Sequence, residues 1–172
     1  MWETIASAAA AESSLWAEAL VGPDGPSVAA PVFSELVPPE LALGVETIYE
    51  GYLVHYGRSR LFEPGDGDVA LLLGDYLYAH GLVRVAETGN VAAVADLAEL
   101  ISLCAQIRAD GRPGDGAAWA ATCATLGQKA LGAARDALRL RGDPGPLANA
   151  AREVAGLARI ERALAAHVAL VG

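Results

Sequence analysis

Asp75 is the residue whose setting calls for an explanation in chemical terms. It interrupts the apolar run LLLGDYLYAHGLVRVAETG, residues 71–89, and two tyrosines, Tyr76 and Tyr78, follow it closely. Helical spacing sets Leu71, Leu72, Tyr78 and Ala79 three or four positions away and Leu82 seven away, whereas His80, Arg84 and Glu87 share a polar stripe. An ionised carboxylate on the apolar side must meet a donor or a cation, because burying it unpaired costs several kcal/mol. The expectation is a buried polar group, satisfied by a tyrosine hydroxyl, an arginine or a neighbouring helix start, with Tyr76 and Tyr78 as buried polar companions.

Other reactive types are scattered. His55, His80 and His167 lie far apart, and no nucleophile elbow or metal-ligand spacing surrounds them. Cys104 and Cys123 stand alone among Leu, Ala and Thr, which suits two buried thiols acting as small hydrophobes. The formal net charge is −9 with a single lysine, Lys129, so the chain lacks the basic surface that phosphate neutralisation requires, and nucleic acid is not an expected partner. Charge is uneven: residues 1–100 hold 15 acids against three arginines, residues 101–172 six acids against nine bases. A partner of either sign could use that asymmetry, though a solvated acidic face is the commoner explanation.

The elements that position these residues read as helices. Proline and glycine in GPDGPSVAAPVF (22–33), EPGDGD (63–68), DGRPGDG (110–116) and GDPGP (142–146) punctuate an alanine- and leucine-rich chain without period-two alternation. Helices are expected over 2–21, about 38–56, 68–87, 90–109, 117–141 and 147–170, with Asp66 or Asp68 and Asn90 as N-caps. Six helices with short connections make an all-α antiparallel bundle, one domain over 1–172, in which helix 2–21 and the linker 22–37 are peripheral. In the last helix Leu147, Ala150, Val154, Leu157, Leu164, Val168 and Val171 form a heptad stripe, broken by Glu161, that should pack in the bundle. A hydrophobic content of 53% supports a sizeable core. Each apolar run is cut by a charge or glycine before a membrane span's length, and the start lacks a basic region before its short apolar stretch. A cytoplasmic protein without a membrane span or signal peptide is expected.

Residues 69–90, VALLLGDYLYAHGLVRVAETGN, resemble a segment of the trans-isoprenyl diphosphate synthases (polyprenyl synthetases). Matching positions are Val69, Ala70, Leu71, Leu73, Gly74, Asp75, Tyr76, Leu77, Val85, Ala86 and Gly89. The resemblance covers about residues 40–130 and implies a truncated isoprenoid-synthase-like helical fold. Members ionise an allylic diphosphate with magnesium held on two aspartate-rich motifs. The first motif falls at ETIYE here, where Glu46 and Glu50 sit four apart on one helical face with Thr47 in the second position. Arg58 and Arg60 stand near the family's diphosphate-gripping arginines. The Lys-Thr pair and any Asp-Asp are missing.

The resemblance therefore implies a short member like the small noncatalytic subunit of heptaprenyl diphosphate synthase. Its partner would be a full-length prenyl diphosphate synthase subunit or a second copy, and no residue would be catalytic. Magnesium would bind only if the acidic pair Glu46 and Glu50 still works, with Arg58 and Arg60 completing a binding site. Under this reading Leu72, Tyr76, Leu77, Tyr78 and the Val94–Ile101–Cys104 face either line the bundle or meet the partner. Two alternatives stay open: an isoprenoid- or lipid-binding helical module, and a degenerate prenyltransferase with weak activity.

Overall fold

A computed structural model describes residues 1–21, 30–128 and 130–171. Among these residues the protein is all-α, 75% helical, with nine helices and no strands. They are α1 (Trp2–Glu12), α2 (Ser14–Glu18), α3 (Pro39–Tyr56), α4 (Gly67–Ala86), α5 (Val91–Ala109), α6 (Asp115–Ala124), α7 (Gly132–Arg141), α8 (Gly145–Ala155) and α9 (Leu157–Val171), with a 3₁₀ turn at Ser34–Leu36. Lys129 and residues 22–29 of the expected linker lie outside the described residues.

The middle helices follow the sequence cues. Pro39 opens α3, where a missing N–H costs nothing. Asp66 accepts from the Val69 N–H at 2.8 Å and Asn90 from the Ala93 N–H at 3.0 Å, each satisfying an amide that the first helical turn leaves unpaired.

Three expected helices are each two helices. Helix 2–21 breaks at Ser13, whose extended backbone (φ −149°) lets it cap α2. The segment 117–141 breaks after Ala124, where Gly127 takes a left-handed φ of 70°. The segment 147–170 breaks at Gly156, with φ 82°, a conformation that side chains with a Cβ rarely adopt. That last break resets the helical phase. Of the expected stripe, Leu147 is buried and Ala150, Leu164 and Val171 pack against the core, whereas Val154, Leu157 and Val168 are exposed and Ala151, Ile160, Ala163 and His167 point inward in their place.

α3 and α4 form the antiparallel spine. Their backbones meet through glycines: a Cβ at Gly51 would lie 2.9 Å from the Gly74 carbonyl oxygen, and one at Gly44 would lie 3.0 Å from that of Gly81. One core cluster joins α3 to α5, α6, α8 and α9 around Tyr49, Tyr52, Leu97, Leu100 and Trp119. A second, formed by Ile5, Ala9, Ala19, Phe62, Leu73 and Leu77, seats α1 and α2 against α4.

By length and composition α4 is apolar enough to cross a membrane, with a mean hydropathy of 1.2 over its best window. Glycine and tyrosine dilute its apolar runs without adding charge, and beyond the first turn only Asp75 and Arg84 are ionisable acids or strong bases.

Candidate functional site

Glu46 and Glu50 share one face of α3, as their spacing requires, and that face points into the protein: both side chains are fully buried. Arg60 enters between them. Its Nη1 lies 2.8 Å from Glu46 Oε2 and its Nε donates to Glu50 Oε2 at 2.8 Å. The remaining carboxylate oxygens hold backbone. Glu46 Oε1 accepts from the Val32 and Ser34 amides at 3.0 and 3.2 Å. Glu50 Oε1 accepts from the Arg60 and Leu61 amides at 2.7 and 2.9 Å and from the Ser59 hydroxyl at 2.5 Å.

Arg60 Nη1 also donates to the Ala30 carbonyl at 2.9 Å, and the guanidinium carbon lies 4.5 Å from the Trp2 ring centroid and 5.1 Å from that of Tyr49. Burial pulls the guanidinium pKa down, but Glu46 and Glu50 outweigh it and the net shift is upward, so the charge is fixed. The arrangement is a clasp that ties segments 30–34 and 59–62 to α3.

Its donor set does not fit magnesium. A hard divalent cation needs free oxygen ligands in an open shell, and these carboxylates are committed to a guanidinium and to amides. Among the described residues no group of three His, Cys, Asp or Glu side chains is placed to hold a metal ion. Arg58 does not join Arg60. Its side chain is exposed, its amide donates to the Leu170 carbonyl at 2.8 Å, and it lines a cleft of about 490 Å³ with Val21, Leu53, Val54 and Phe62.

A second polar cluster lies one turn further along α3. His167 of α9 is 2% exposed, and its Nδ1 is 2.9 Å from the Tyr49 hydroxyl. Its Nε2 is 3.3 Å from Asp115 Oδ2 at the start of α6. Asp115 accepts further bonds from the Tyr52 hydroxyl and, at 2.5 Å, from Arg108 Nη2, whose Nε donates to the Tyr52 hydroxyl at 2.9 Å. Because an ionised aspartate only accepts, the tautomer that satisfies every group carries its proton on Nε2 and takes the Tyr49 hydroxyl proton as a bond on Nδ1.

Burial pushes the Asp115 carboxyl up, but the bonds from His167 and Tyr52 and the Arg108 charge overcome it and hold it well below the usual carboxylate range. Burial raises both tyrosine hydroxyls, with Asp115 adding to the rise at Tyr52. Phe33 and Trp119 complete an aromatic shell, 5.5 Å apart by ring centroids. Sequence reasoning passed over this cluster. Asp115 reads as a turn residue and His167 as a lone histidine among alanines, and no local pattern announces a contact across 52 residues.

Asp75 is not buried. Its side chain is 66% exposed, and its partner is His55, with Nε2 at 3.3 Å from Oδ1. The helical phase was read the wrong way round: the buried face of α4 is Leu73, Gly74, Leu77, Gly81 and Val85, which must carry the glycines to meet α3. Leu71, Leu72 and Ala79 therefore lie outside, Leu72 at 58% exposure, while Tyr78 and Leu82 are half-buried against the core. Burial lowers the His55 pKa more than Asp75 raises it, so the imidazole is neutral at pH 7 and brings no positive charge to the pair.

Tyr76 and Tyr78 are half-buried rather than core residues. Tyr76 stacks on Trp16, with centroids 4.2 Å apart, and Tyr78 packs beside His55 at 5.2 Å. Leu77 and Cys104 are buried in the bundle, Val94 and Ile101 half-buried against it, leaving Leu72 as the exposed member of the expected contact face. Both cysteines are buried free thiols. Comparison of the chain with known protein families, curated proteins and solved structures gives no match.

Proposed function

We propose that this chain is a noncatalytic accessory subunit of a long-chain polyprenyl diphosphate synthase, acting in the cytoplasm in isoprenoid or quinone side-chain synthesis. The observation that carries the reading is the closed Glu46–Arg60–Glu50 clasp. At the place where the resemblance puts the first magnesium motif, the surviving acids hold the fold together, buried with their oxygens set against Arg60 and backbone amides. A scaffold that keeps the Gly74–Leu77 stretch but has turned its acidic face to structural use suits a supporting role. The exposed face of α4 supplies a surface for a partner.

Co-expression with a full-length prenyl diphosphate synthase from the same organism tests it. The expected result is a stable complex whose activity or product chain length differs from that of the synthase alone. Failure to co-purify, or a complex with unchanged products, overturns the reading.

A second reading has one observation in its favour. The cleft beside Arg58 is walled by Val21, Leu53, Val54 and Phe62, dimensions that suit an isoprenoid chain, and Arg58 in its lining suits an anionic head, with Glu63 of the same lining opposing it. Thermal stabilisation by farnesyl diphosphate without magnesium, lost in Arg58→Ala, would favour it.

A further inference from the structure

The outer face of α4 has a definite pattern. Positions 68, 71, 72, 75, 79, 83, 86 and 87 follow helical spacing along one stripe, and all eight are exposed. Five are apolar: Leu71, Leu72, Ala79, Val83 and Ala86. The other three, Asp68, Asp75 and Glu87, are acids, and the stripe has no base. Arg84 is half-buried and off the stripe.

Exposed leucines on a helix whose other face is already packed against α3 mark an interaction surface, and the charges restrict what can cover it. A second copy fits badly. Antiparallel self-pairing about the stripe's midpoint sets Asp68 against Glu87 while Leu72 meets Val83, and parallel self-pairing sets each acid against its own copy. Like charges brought together at an interface act against the wrong partner. An anionic lipid surface is opposed by the same acids, and a bilayer interior would have to take up Asp75, which His55 does not neutralise at pH 7.

We infer that the α4 stripe binds an amphipathic helix of a different chain whose apolar face carries lysine or arginine two helical turns apart, matched to Asp68 and Asp75. Those two acids are seven residues apart, about 10 Å along the axis, so one face of a single partner helix can meet both. The leucines supply the contact area and the acids choose the partner and its register. The inference rests on the reading of this chain as a partner-binding subunit and adds the chemistry of the partner.

The test has two arms. In the first, the full-length chain is titrated with a synthetic helical peptide bearing a leucine stripe and two lysines two turns apart, and with its twin bearing glutamates. The lysine peptide is expected to bind at least about tenfold more tightly, with the preference lost in Asp75→Lys and binding lost in Leu72→Asp. Both positions are exposed, so the variants keep the fold, checked by circular dichroism; Leu140→Asp, on a different helix, leaves binding unchanged. Equal binding of the two peptides, no binding, a dimer of the chain alone that Leu72→Asp dissociates, or binding to phosphatidylcholine–phosphatidylglycerol vesicles that Leu72→Asp abolishes would each overturn the inference.

In the second arm the co-expressed synthase is the probe. A complex that withstands Leu72→Asp and Asp75→Lys sinks the α4 inference and leaves the subunit role standing. No complex beside a clear lysine preference sinks the subunit role and leaves the inference standing.

Discussion

Arg60 and Glu46 meet inside the protein at 2.8 Å, the guanidinium 6% exposed and the carboxylate fully buried. With Glu50 on its other side, Arg60 neutralises only part of the acid it touches, and backbone amides stabilise the rest. Removing the cation leaves two carboxylates facing each other away from water. Arg60→Leu is expected to cost about 3–5 kcal/mol of unfolding free energy, read from urea denaturation. A variant within about 1 kcal/mol of the parent would show the clasp to be incidental.

Magnesium is expected to leave the thermal midpoint unchanged when compared with sodium chloride at matched ionic strength. A ligand that binds only the folded chain must raise that midpoint, and the oxygens of Glu46 and Glu50 are already in use. A specific rise with magnesium, abolished by Glu50→Gln, would reopen the metal reading.

The α3–α4 spine depends on residues without side chains. Gly51→Ala would place a Cβ 2.9 Å from the Gly74 carbonyl and 3.1 Å from the Leu77 and Tyr78 side chains, so the helices must separate. A loss of roughly 1–3 kcal/mol is expected from the strain, even though alanine is the better helix former. Equal or greater stability would mean that the helices can slide apart freely.

How much of this was legible beforehand follows from how local each signal is. Asp66 and Asn90 act within one turn of their own helices, and the sequence shows both. The shared face of Glu46 and Glu50 is equally local. Which way that face points is a tertiary fact, decided by Arg60 arriving from a loop. At Asp75 the apolar neighbours suggested burial, but the packed side of α4 is set by small residues at Gly74 and Gly81, which score poorly as hydrophobes and matter through how closely they let α3 approach. The breaks at Ser13 and Gly156 are single residues inside alanine-rich stretches whose composition alone predicts unbroken helix. Asp115 and His167 meet only once α6 and α9 are in place.

His167 is the pin that joins α9 to this polar centre. His167→Ala removes a partner from both the Tyr49 hydroxyl and the Asp115 carboxylate, at roughly 1–3 kcal/mol for each orphaned buried group. His167→Gln, which can still donate and accept, should recover part of the loss. If alanine and glutamine behave alike, the histidine contributes by packing alone.

Burial lowers the pKa of both His55 and His80, and the contacts of Asp115 lower its own, so the acid response separates into two stages. The Asp115 pKa is lower in the folded state than in the unfolded chain, so the folded protein binds that proton less well. Its contribution is present above the ordinary carboxylate value of about 3.9 and is lost as pH falls from there through the depressed folded value. The His55 pKa is lowered too, by burial that Asp75 only partly offsets, so its effect begins higher. Stability is unaffected by His55 above its unfolded pKa of about 6.5 and declines as pH drops below it, because the unfolded chain takes up the proton more readily. Denaturation midpoints measured from pH 8 to about pH 1.5 should therefore fall in two stages. His55→Gln should shrink the first stage, the double variant His55→Gln with His80→Gln should flatten it, and Asp115→Asn, less stable throughout, should flatten the second. A single decline that none of these variants alters would mean that other groups govern the acid response, and that the bonds to Asp115 and the burial of His55 are too weak in solution to shift their protons.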